Sequence, residues 1–290
     1  MTVQPARSCH FPFSDPVQEI PTEIALLIHG KVLGGNYHAN AAVSLSLSSG
    51  LHRIRTPSSS ILGSTPAGSP IASTRALPPP NDSLEEGERI DAFWAALILN
   101  SYWIAIQESH MFLDLQHIGV DTPWPMDVIE YQLQLLPRVS SGTIRNFLES
   151  MSIEGFSTVA LHAKAAVLLE QATVIGASIP DTTLGAENMV QSDTFKRLDT
   201  LIDVFKSHFP LLEGMNVGSS EAETLLVVRM MTHAATIKLH LSLSDKGNEH
   251  SRQKVLVSAQ SIAVLTHNSI PTSVLKTDPI IGVSGLSPNP

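Results

Sequence analysis

ERIDAFWAALILNSYWIAIQESHMFLDLQHIGVDTPWP, residues 88–125, holds all three tryptophans of the chain, Trp94, Trp103 and Trp124. Read at helical spacing, Ile90, Phe93, Trp94, Leu97, Ile98, Ile104 and Ala105 form one apolar stripe. Ala92, Ala96, Leu99, Trp103 and Ile106 form a second. A surface helix needs one such stripe, so a helix with two is packed on both sides and organises a core. Ser83 and Glu86 have the spacing of a capping box just upstream, and the prolines of VDTPWP end the segment because proline cannot continue a helix.

The rest of the chain reads the same way. Ile20–Leu33 predicts a helix with Pro21 in its first turn, ended by Gly34 and Gly35. Tyr37–Leu51 predicts a second, with Ala41, Ala42, Leu45 and Leu47 apolar and Gly50 as its cap; the alternation in VSLSLSS also admits a short strand. Met126–Leu136, Phe156–Ile175, Ser192–Phe209, Ala222–Leu241 and Lys254–Leu265 continue the series, with Gly176 and Pro180 stopping the second of these. Pro137–Gly155 has no clear period. With about six to eight helices and no convincing strand, the fold class is all-α. Residues 1–19 read as a loose lead-in, residues 56–88 as a flexible Ser/Pro-rich insertion with too little apolar surface to offset its ordering entropy, and residues 286–290 as a tail.

The composition excludes several classes. Net charge is −9, the wrong sign for a surface that neutralises nucleic-acid phosphates. A single cysteine, Cys9, rules out an internal disulfide and a multi-cysteine zinc cluster. The N-terminus lacks a long apolar h-region, and without a run of about 20 apolar residues the expectation is neither secreted nor membrane-spanning.

Twelve histidines invite a search for metal ligands. His110, Asp114 and His117 have i, i+4, i+7 spacing but fall past the expected end of the Trp helix, so no metal is assigned to them. His233 and His240 share a stripe with Leu226, Met230 and Ile237, and at helical rise their Cα atoms stand roughly 10 Å apart, too far to close on one zinc. They read as core histidines bonded to neighbouring helices. Asp121, in VDTPWP, reads as an Asx-type turn, with a pocket rim as the functional alternative. Neither a G-x-S-x-G elbow nor a phosphate loop is present, and nothing around Cys9 would lower its pKa, so no catalytic residue is assigned and an all-α enzyme is the weakest reading.

The order of segments resembles the fungal-specific regulatory domain, or middle homology region, of zinc binuclear cluster transcription factors of the xylanolytic-activator-like class. YHANAAVSLSLSSGLHRIR is similar to the family's helix ending in Gly-Leu-His, here Gly50, Leu51 and His52. GERIDAFWAALILNSYWIAIQ is similar to its Trp-containing helix through Arg89, Phe93, Trp94 and Leu99, and VDTPWP to the turn that follows. LHAKAAVLLEQAT, FKRLDTLIDVFKSHFP and LLVVRMMTHAATIKLHL fall in the family's succession, the last through His233–Ile237 and Leu239–His240. Residues 20–285 are covered.

There are two departures. Gln107–His110 stands where the family carries a Gly-Arg-Pro-like turn, and the six-cysteine zinc cluster that reads DNA has no counterpart here. The chain also stops where family domains continue, so a truncated gene product or incomplete gene model is an alternative. The resemblance implies a nuclear protein that takes part in transcription regulation. It would bind a co-regulator, a like domain as homo- or heterodimer, or a small inducer, with no cofactor of its own, no direct nucleic-acid contact and no membrane. A DNA-binding transcription factor in its own right is the alternative from another class.

Overall fold

The computed structural model describes residues 32–55, 77–107, 119–138, 140–150, 154–180, 182–210 and 219–269. Among them are nine α-helices and no strand. They are α1 (Val32–Ser48), α2 (Ser83–Gln107), α3 (Val128–Gln132), α4 (Thr143–Ser150), α5 (Thr158–Ala177), α6 (Thr183–Gln191), α7 (Asp193–Ser207), α8 (Ser220–Asp245) and α9 (Glu249–Ser269), with a 3-10 turn at Leu51–Arg53 after α1. The all-α reading holds. The expected helix over residues 20–33, the lead-in, the tail, Cys9 and the His110, Asp114, His117 series lie wholly or almost wholly outside the described residues.

The long helices pack in the order α1, α2, α5, α8, α9, each on the next. This explains the two apolar stripes of α2. Ile90, Phe93, Trp94 and Leu97 enter the main core with α5, whereas Leu99 and Trp103 form a separate cluster with Ala39 of α1. The middle of the order is nevertheless not α2, as expected, but α5. Its Ala160, Ala163, Ala165, Ala166, Leu168, Leu169 and Ala172 are buried around the whole circumference, with α2 on one side and α8 on the other. Small side chains let both neighbours approach. By length and composition α5 could cross a membrane, and most of it is buried inside this bundle.

Several expected boundaries are corrected. Gly34 and Gly35 do not end a helix; both lie inside α1, and a Cβ on Gly35 would stand 2.2 Å from Trp103 Cζ2, so the glycine admits the indole. VSLSLSS is helical, and its buried face is Ala39, Val43 and Ser46 rather than the one containing Leu45, which is exposed. Gly50 follows in the left-handed region (φ 76°) and caps the chain as expected. Gly176 is helical rather than a stop. A Cβ there would sit 2.1 Å from the Lys238 carbonyl oxygen, so it marks the close crossing of α5 and α8.

The insertion is shorter than residues 56–88. Residues 77–82 are described, and 83–88 are the first turns of α2. Asp82 rather than Ser83 caps that helix, accepting from the Glu85 backbone N–H at 2.8 Å, and Arg89 Nη1 donates to the Pro78 carbonyl at 2.6 Å. Ser83 instead donates to the Tyr131 carbonyl. Two short helices, α4 and α6, were not expected. For α4 the signal was present, since Ile144, Phe147 and Leu148 have helical spacing and are buried.

Candidate functional site

VDTPWP has two prolines and therefore few backbone donors, and other elements hold it by its carbonyls. Trp94 Nε1 donates to the Pro123 carbonyl at 2.7 Å, Thr143 Oγ1 to that of Thr122 at 2.8 Å and Ser157 Oγ to that of Pro125 at 2.8 Å. Asp121 N–H donates to the His52 carbonyl at 2.9 Å, tying the turn to the Gly-Leu-His segment. The Asp121 carboxylate accepts from Gly142 N–H at 3.1 Å and clamps the loop before α4. Ser157 also caps α5 by accepting from Ala160 N–H, so one hydroxyl joins the turn to the central helix.

So held, Trp124 stacks on Trp94 with ring centroids 4.5 Å apart and meets Phe147 of α4 edge-on at 5.5 Å. Its outer side forms a wall of a half-open cleft of about 410 Å³ with Phe147 and Phe156. The remaining lining is mostly proline, serine and threonine, and its charged members are Glu130 and Glu154. Beneath the floor lies Lys164 of α5, which is fully buried. Its ammonium donates to the carbonyls of Glu154 and Gly155 and stands 5.1 Å from the Trp124 ring centroid and 5.8 Å from those of Phe147 and Phe156. Three ring faces and two carbonyls thus replace its water, and burial still lowers its pKa to about 8. Lys164 thus joins five lining residues, Trp124, Phe147, Glu154, Gly155 and Phe156.

Two other polar groupings stand in the core. At the α2–α5 contact Ser101 Oγ lies 2.7 Å from Glu170 Oε2, and burial raises the Glu170 carboxyl to about 7. Tyr102 O–H is paired with His162 Nε2 at 2.7 Å, and burial lowers the His162 pKa. The second grouping joins α7, α8 and α9. His240 Nε2 is 3.0 Å from Asp199 Oδ1, and Nδ1 is 3.0 Å from Ser251 Oγ. Lys254 of α9 pairs with Asp199 and, at 2.9 Å, with Asp203. Burial alone would raise Asp199, but the His240 hydrogen bond and Lys254 outweigh it and hold the carboxyl at about 2.

A serine, a histidine and an aspartate in line have the order of a nucleophilic relay. Ser251, however, is 2% exposed and sits in the first turn of α9, its own N–H bonded to Asn248 Oδ1. The set clamps three helices together. His240 is therefore the expected core histidine bonded to its neighbours. His233 is not, for its Nδ1 is buried without a hydrogen-bond partner among the described residues, and burial lowers its pKa to about 4. Leu226 and Met230 of the same stripe pack on Ile262 of α9.

Nothing in the sequence singles out Lys164, Glu170, Asp199, Ser251 and Lys254, because each takes its meaning from a partner on another element. Phe147 could have been found from the helical spacing of α4. Comparisons with family models, with curated proteins and with solved structures found no match.

Proposed function

We propose that this chain is a regulatory domain of the fungal transcription factor type, taking part in transcription regulation by binding a small inducer, a co-regulator or a like domain in the nucleus, with no DNA-reading element in these residues. One observation carries the reading. VDTPWP, which with the Trp helix bears the family resemblance, walls a cleft of about 410 Å³, a size within the usual range of ligand pockets. The rings of Trp124, Phe147 and Phe156 supply the apolar contact such a site needs, and the serine and threonine hydroxyls around it supply direction. No metal or cofactor is part of the reading.

The test fuses the chain to a heterologous DNA-binding domain and measures a reporter, with the tryptophan emission of the purified protein followed against a small-molecule library. The expected result is a change in reporter output that Phe156→Ala abolishes. A reporter held at the level of the DNA-binding domain alone, with a monomeric protein whose emission no compound alters, would overturn it. Direct DNA binding is the rival reading, disfavoured by a net charge of −9. A gel shift that weakens steeply with added salt would restore it.

A further inference from the structure

α9 carries more apolar surface on its solvent side than on its core side. It ends the packing order and leans on α8. Its buried residues are Ser251, Ser258 and Ile262, two of them polar, whereas Leu256, Val257 and Val264 are 49, 47 and 56% exposed and Ala259 and Ala263 are exposed as well. A surface helix of a monomer has the opposite arrangement, with its apolar stripe inward and its charges outward. Here residues 255–266 include no charged side chain.

Symmetry selects the occupant. Gln253, Leu256, Val257, Gln260, Ala263, Val264 and His267 are all exposed, share one stripe and are spaced symmetrically about Gln260. When two copies of α9 lie antiparallel across a two-fold axis at Gln260, Leu256 meets Val264 of the second copy, Val257 meets Ala263 and Gln253 meets His267. Apolar meets apolar and polar meets polar at every level. The steps of 4, 3, 4 and 3 residues from Gln253 through Val257, Gln260 and Val264 to His267 are those of a coiled-coil seam, in which a single polar position, here Gln260, fixes the register. A chain at −9 repels its own copy over much of its surface, and a charge-free face is where two copies can meet without that cost. Arg252, exposed at the start of α9, comes beside the last turn of the second α9, whose carbonyls carry partial negative charge. The exposed areas of the seven residues, doubled across the axis, come to roughly 1,000 Å², the lower bound of a specific interface, which fits a reversible dimer formed at micromolar concentration.

We infer that α9 is the contact of a homodimer, two copies of this chain packing antiparallel through the face of Leu256, Val257, Gln260, Ala263 and Val264 about a two-fold axis at Gln260. As the surface for a like domain it rests on the proposed regulatory role; the pairing itself rests on α9.

The test follows the full chain by sedimentation equilibrium over a concentration series, beside Val257→Asp/Val264→Asp, whose altered side chains are exposed; circular dichroism and thermal melting confirm that the variant folds. The expected result is a reversible dimer whose dissociation constant the variant raises by roughly tenfold or more. Direction is read in a Cys9→Ser background. There Gln260→Cys should form a disulfide dimer roughly tenfold faster than Gln253→Cys, because the two copies of residue 253 stand about 21 Å apart along the helix axis, beyond disulfide reach. If the aspartate variant does not fold, the cysteine pair still decides. A chain that stays monomeric, a dimer that Val257→Asp/Val264→Asp leaves intact, or equal cross-linking of the two cysteines would overturn the inference. If the chain is monomeric while the reporter responds to a small molecule, the pairing falls and the regulatory reading stands. If it dimerises through α9 while reporter and tryptophan emission stay unchanged, the pairing stands without the regulatory role.

Discussion

Replacing Glu170 by glutamine should stabilise this protein above neutral pH and leave it unchanged in acid. Glu170 is 2% exposed at the α2–α5 contact, and burial raises its pKa from the ordinary 4.5 to about 7. The hydrogen bonds agree with a protonated acid. Ser101 has one hydroxyl proton and two acceptors in reach, the Leu97 carbonyl at 3.0 Å and Glu170 Oε2 at 2.7 Å. A protonated Glu170 resolves this by donating to Ser101 Oγ while Ser101 donates to Leu97.

The sign follows from proton linkage. Below about pH 4.5 both folded and unfolded chains hold the proton, and nothing is lost. Between about 4.5 and 7 the unfolded chain ionises while the folded one does not, so stability falls as pH rises, by about 1.4 kcal/mol per unit. The loss levels off near 3 kcal/mol once the folded carboxyl also ionises. Glutamine copies the neutral acid, since its amide can donate to Ser101 Oγ, and it has no charge to desolvate. Urea unfolding of both proteins from pH 4.5 to 8.5 gives the difference directly. It should be near zero at the acid end and approach about 3 kcal/mol in favour of Glu170→Gln at pH 8. A difference that does not vary with pH, or a wild type more stable than the variant at pH 8, would refute the assignment of Glu170 as a buried neutral acid.

Trp94→Ala should cost about 3–5 kcal/mol in urea unfolding through lost packing on Trp124 and Phe93, and a variant as stable as wild type would move this side chain out of the core. Gly34→Ala, with open space around its Cβ, should stabilise α1 by about 1 kcal/mol, while Gly35→Ala, directed at Trp103, should destabilise by about 1–3 kcal/mol. Loss at both positions would instead favour a helix end at this glycine pair. Asp199→Asn should cost about 2 kcal/mol at pH 7, because a carboxyl held at about 2 stabilises the fold above the ordinary 3.8 and loses that effect as pH falls toward 2. Acid titration of the two proteins should therefore bring their stabilities together below pH 4.

Most of the helices could be read locally. Capping residues such as Ser157 and Ser192, and the spacing of Phe195, Leu198, Ile202 and Phe205, report a structure whose contacts lie within one or two turns. The cleft was legible only in part. Trp124 and its turn are legible from the prolines, but the other wall comes from α4, whose short Ile144 and Phe147 pattern lies in a stretch without a clear period, and from Phe156, which lies two residues before the helix its apolar pattern suggests.

By itself the sequence determined that the chain is helical, that α2 is packed on both sides, and that VDTPWP breaks the chain after it, because period, capping and proline chemistry act between near neighbours. The tertiary structure alone decided that α5 holds the middle, since a helix apolar on every side has no stripe to show which neighbour it meets. It also decided that Gly35 and Gly176 mark close contacts rather than ends, and that Lys164, Glu170 and Asp199 carry shifted pKa values. A glycine reads as a stop until another element lies against it. A carboxylate has its ordinary pKa until the fold removes its water, and Glu170 loses that water beside Ser101, a residue 69 positions away in the chain.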